Sequence, residues 1–182
     1  MSKKIFYLLL IIRFVFSPLL FIYLHPLYAM SINEIIIDGM IAPHHMFKPL
    51  INKKLVKNSK RCHDIPFDTW GFMWSLLPIL YKNNKYYYVF NKYRLFMVTL
   101  LIFRLIGILT VYKFNTMKYL LIFPNFYIGV YIAVSLCDLL QINETNKINK
   151  IIILCMIISY MREIFLVKRN QNISTPLECH LN

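Results

Sequence analysis

Glu34 and Asp38 stand four residues apart, and so do Asp64 and Asp68. At helical spacing each pair projects from one helix face, and the two pairs lie at the facing ends of consecutive apolar segments. Four carboxylates gathered in a medium of low dielectric repel one another strongly. A divalent cation removes that penalty, and hard ions such as Mg2+ or Mn2+ prefer carboxylate oxygen while leaving positions for substrate phosphates. These four are half of the eight acidic residues in a chain of formal net charge +13. Their grouping points to a metal or phosphate site at a membrane surface.

The elements that must hold them are read from composition. The chain has 182 residues, 58% of them apolar, with 4 Gly against 14 Phe and 13 Tyr, and a mean hydropathy of +0.53. Such a chain is solvated largely by lipid. Apolar runs cover 5–24, 27–42, 65–81, 95–112, 119–140 and 148–167, most of them near the roughly 20 residues that cross a bilayer as a helix. The expectation is an all-α integral membrane bundle of about six transmembrane helices over residues 1–167, with a basic linker at 43–63 and a short polar tail at 168–182. Asn33, Glu34 and Asp38 interrupt the second run, and Pro66, Asp68 and Pro78 shorten the third. Whether 27–42 crosses fully is left open.

Basic residues orient the spans. Six spans put Lys3, Lys4, Lys48, Lys53, Lys54, Lys57, Lys60, Arg61, Lys113, Lys118, Lys168 and Arg169 on one side, against Lys82, Lys85, Lys92, Arg94, Lys147 and Lys150 on the other. The excess places both termini in the cytoplasm. Because the charge sits in short loops flanking spans, anionic headgroups explain it and a nucleic-acid partner is not expected. Arg13 divides the first apolar run, and Leu27-Tyr-Ala29 lacks the small residue of a signal-peptide cut. Cys62, Cys137, Cys155 and Cys179 are dispersed and form neither a zinc knuckle nor a disulfide framework. Within the spans, Arg13 and Arg104 each lie eight residues, or about 12 Å, from the cytoplasmic face. With Asp38, Asp64, Asp68, Arg162 and Glu163 near that face, one polar cavity open to the cytoplasm is expected.

These residues resemble the CDP-alcohol phosphatidyltransferases, six-span enzymes with the signature D-x2-D-G-x2-A-R-x8-G-x3-D-x3-D. The chain carries Asp38-Gly39-x2-Ala42, Asp64-x3-Asp68, Arg13-x4-Pro18 in the first span, and Arg104 in the fourth. The resemblance implies that Asp38, Asp64 and Asp68, with Glu34, hold Mg2+ or Mn2+. It implies that Gly39 and Ala42 let the CDP moiety approach, that Arg13 and Arg104 bind phosphate, and that Asp68 is the catalytic base. The reaction would move a phosphatidyl group from a CDP-lipid to an alcohol, releasing CMP, in a protein that as a family member often forms homodimers. The chain departs from the signature at Ile35, where an aspartate stands, at Pro43 for the arginine and at Lys60 for the glycine. Its Ala42–Asp64 spacing is eight residues too long.

Duller roles compete for each residue. Asp64 and Asp68 suit the first turn of any helix, and Arg13 or Arg104 could snorkel or pair with Glu163. Two adjacent histidines, His44 and His45, cannot both face one zinc ion from a helix. Trp70, Trp74 and Tyr86 to Tyr88 suit a membrane-interface belt. The alternatives are therefore a non-catalytic membrane scaffold that keeps the fold, or a small channel or transporter subunit.

Overall fold

A computed structural model describes the backbone of residues 3–37, 65–114 and 118–171, and the side chains of 11–12, 14–34, 69–111, 113–114, 118–165 and 167. The elements are α1 (Lys3–Tyr23), α2 (Pro26–Ser31) running into a π-helical turn (Ile32–Ile37), α3 (Ile65–Ser75), α4 (Leu77–Leu80), α5 (Tyr87–Phe90) with a 3-10 turn (Asn91–Tyr93), α6 (Arg94–Phe114), α7 (Tyr119–Ile122), α8 (Phe126–Leu139) and α9 (Thr145–Gln171). The fold is all-helical, with no strand among the described residues. Helix occurs in all six apolar runs, but only some runs form one unbroken rod. The described chain divides at Pro78 and Ile79 into two compact units.

In the first unit, α1 packs on α3 around a tryptophan. Pro18 sits inside α1 and has no N–H, so the Phe14 carbonyl four residues earlier loses its helical donor. The Trp70 indole Nε1–H donates to that carbonyl at 3.0 Å, and the Phe14 and Trp70 rings stack at 4.4 Å between centroids. After α1, His25 caps α2 by accepting the Leu27 N–H on Nδ1 at 3.2 Å. Pro26 then fills a first-turn position whose N–H would have had no partner.

In the second unit α8 is the core rod. Tyr127 to Tyr131, Ala133, Val134, Ser135 and Cys137 are all buried, and Ile132, Leu136 and the exposed Leu139 mark its one less covered face. It runs antiparallel to α6 and α9. Phe90 lies 4.7 Å from Tyr131 and Phe103 lies 4.9 Å from Phe123, while Phe126 meets Tyr160 on α9. The α8–α9 crossing is close because a Cβ on Gly129 would come within 2.8 Å of the Cys155 carbonyl oxygen. Consequently α6 and α9 are parallel: Tyr93 donates to Asn149 Oδ1 at 3.2 Å near their starts, and Val111 clusters with Leu120 and Val167 near their ends.

The fifth run breaks at Phe123–Pro124–Asn125. A residue before proline is pushed out of the helical region, and Phe123 sits at φ −117, ψ 62. Asn125 restarts the helix by accepting the Ile128 N–H. Among the described residues, one helical stretch, Tyr87–Val111, is long and apolar enough at 25 residues to cross a membrane. Only 33% of its apolar window is buried inside the protein, so it is not an ordinary core helix. Phe14–Tyr23, Thr69–Leu80 and Phe126–Leu139 are shorter apolar helices.

Candidate functional site

The first unit contains a buried polar relay. Ser17 Oγ donates to Asn33 Oδ1 at 2.8 Å, and Asn33 Nδ2 donates to Glu34 Oε1 at 3.3 Å. Ser17 and Asn33 are fully buried, so the carboxamide must find its partners within the protein. A third element closes on it: a Cβ at Gly71 of α3 would lie 2.7 Å from Asn33 Nδ2. Ser17 comes from α1, Asn33 and Glu34 from the π-helical turn, and Gly71 from α3. The relay therefore joins three segments and holds one carboxylate oxygen of Glu34 on a fixed donor.

Register places two expected site residues one turn away. Arg13 precedes Ser17 by four residues on α1, and Asp68 precedes Gly71 by three on α3; the side chains of both lie outside those described. Asp38, Gly39, Ala42 and Asp64 lie outside the described residues, as do His44, His45 and His63. Glu34 and Asp38 are expected at α-helical spacing; Asp38 lies outside the described residues, and the segment that carries Glu34 is not α-helical. Residues 32–37 are wound as a π-helix, which takes in one more residue per turn through i→i+5 bonds. Among the described residues no group of three or more His, Cys, Asp or Glu side chains stands together.

Arg104 belongs to the second unit and is engaged there. Its Nη1 donates to the Phe123 carbonyl at 3.0 Å, and its Nη2 lies 3.1 Å from Glu163 Oε1, with side chains only 12% and 6% exposed. Its Nε is buried and has no partner among the described residues. The Phe123 carbonyl is available because the helix breaks there, and Arg104 reaches it one turn from Gly107, against which Phe123 packs. Pairing with Glu163 is the structural role weighed above for this arginine.

No protein-family model, no curated protein and no solved structure matches the chain. The functional reading rests on the residues themselves. Ser17 and Gly71 were not singled out from the sequence, and Asn33 only as an interruption of its apolar run. Their signals were present: a serine and an asparagine within apolar runs, each beside a residue that was noted, and one of only four glycines in the chain.

Proposed function

We propose that the chain is a multi-pass integral membrane protein of about six spans that resembles the CDP-alcohol phosphatidyltransferases, with its site where α1, the π-helical turn and α3 meet. The observation that carries this reading is the Ser17–Asn33–Glu34 relay seated on Gly71. It links the three segments that supply Arg13, Glu34 and Asp68, and a carboxylate held by a buried amide is oriented before any ligand arrives.

The π-helical winding also bears on the missing aspartate at Ile35. Glu34, the carboxylate next to position 35, lies on that turn and is assigned the place of the missing aspartate. A donor set of Glu34, Asp38, Asp64 and Asp68 offers only carboxylate oxygen, which fits Mg2+ or Mn2+. Such an ion would supply charge stabilisation at the pyrophosphate of a CDP-lipid. Asp68 is assigned the proton of the acceptor alcohol, Arg13 a phosphate oxygen, and Gly39 and Ala42 the close approach of the nucleotide. Exposed apolar faces on α6 and α9 support membrane embedding, and the charge excess supports cytoplasmic termini.

The test is release of CMP from a CDP-linked diacylglycerol by the purified chain, with several acceptor alcohols. Release is expected only with Mg2+ or Mn2+, and Asp68→Asn is expected to lower it by at least about 100-fold. No release with any alcohol and either ion would overturn the assignment. A second reading has its own observation: the ion pair and carbonyl that take up Arg104 are what a scaffold without catalysis would keep. An inert chain that still resists alkaline extraction from membranes would support that reading.

A further inference from the structure

We infer that the end of the second unit formed by residues 81–94 and the start of α9 is a docking surface for the headgroups of anionic phospholipids. The inference rests on the membrane reading above and adds which face of the chain selects which lipid. Lys82, Lys85, Lys92, Arg94, Lys147 and Lys150 are all exposed here, and Glu144 is the single acidic residue of 81–94 and 141–150. Glu144 is itself paired with Lys147 at 2.7 Å, and Asp138 at the end of α8 acts on Tyr88 from the same end, so six cations stand against two carboxylates.

The two stretches form one surface. Lys92 Nζ donates to Thr145 Oγ1 at 2.8 Å, and Tyr93 donates to Asn149 Oδ1. Tyrosines are interleaved with the cations: Lys85 lies 4.7 Å over the Tyr86 ring, and Arg94 donates to the Tyr87 hydroxyl at 2.6 Å. A merely solvated basic face would not also present large apolar groups. Here Tyr88 is 67% exposed and Leu95, directly after Arg94, is 80% exposed. Below them the outward apolar stripe continues through Ile102, Ile106 and Leu109 on α6, and through Ile153, Leu154 and Ile157 on the parallel α9. Cations and tyrosines set immediately above an apolar stripe match the layered chemistry of phosphate over acyl chain. A nucleic acid would match the charge and stack on the tyrosine, but would leave the exposed leucine and the apolar stripe beneath it uncovered.

The test reconstitutes the full chain and measures the association of spin-labelled phosphatidylglycerol relative to phosphatidylcholine. A preference of about threefold to tenfold for the anionic lipid is expected at low salt, weakening as salt rises. It should fall towards one in Lys82→Gln/Lys85→Gln/Lys150→Gln and survive in the corresponding Lys→Arg variant. If the triple glutamine variant fails to reconstitute, Lys85→Gln alone should give a partial loss. Unchanged preference in the glutamine variants would overturn the inference, and so would an equal loss in Lys113→Gln/Lys118→Gln. Selective competition by inorganic phosphate at matched ionic strength, or by an oligonucleotide, would reassign the surface and overturn it. Release of the chain by alkaline carbonate would instead sink the membrane reading beneath it.

Discussion

A methyl group on Gly71 would lie 2.7 Å from Asn33 Nδ2, well inside van der Waals contact, and Asn33 cannot retreat without giving up Ser17 and Glu34. Gly71→Ala is therefore expected to lower stability by about 1–3 kcal/mol, measured by thermal unfolding in detergent. In an Asn33→Ala background the same change should cost little, so the double-mutant cycle should show strong coupling. Equal costs in both backgrounds would remove the contact from the account. The Arg104–Glu163 pair gives a second residue-scale expectation. Glu163→Gln should cost about 3–5 kcal/mol because it leaves a buried guanidinium charge without its counter-ion. Arg104→Met/Glu163→Leu should recover most of that loss in the same measurement. At this scale the charges were legible in the sequence, and the neutral groups that orient them were not. Asn33 carries no charge and adjoins Glu34, so its role emerges only when α1 and α3 are brought to either side of it.

Two helix irregularities give predictions at the scale of the element. Trp70→Phe should cost about 1 kcal/mol, the worth of the hydrogen bond to the Phe14 carbonyl. The cost should shrink when Pro18→Ala restores a helical donor to that carbonyl. At the end of α8, Ile142 N–H bonds to the Cys137 carbonyl at 2.8 Å and Gln141 N–H to the Asp138 carbonyl at 3.0 Å. Gln141 is left-handed there at φ 55. This is the Schellman arrangement that usually takes glycine, so Gln141→Gly should raise stability by about 0.5–1 kcal/mol. A lower melting temperature would contradict it. The positions of the helices were legible because apolar runs of this length have few other ways to satisfy their backbone groups. The π-helical turn was not, since hydropathy carries no trace of i→i+5 bonding. The break after Phe123 was written in Pro124, yet the apolar run continues straight through it.

For the whole molecule, the governing contrast lies between the covered α8 and its flanking helices. α8 is buried over most of its length, whereas α6 and α9 turn leucines and isoleucines outward. Alkaline carbonate is expected to leave the chain in the membrane fraction, and recovery in the supernatant would contradict a spanning bundle. Composition alone supported the all-helical architecture, but the number of crossings did not follow from it. Several apolar runs are interrupted by proline or by changes of helix type, and hydropathy averaged over a window passes over such breaks.

Arg94 and Lys113 stand at opposite ends of α6, 19 residues and about 28 Å apart along the axis. An upright helix of that reach has about the thickness of a hydrocarbon core and would carry a cation at each headgroup layer.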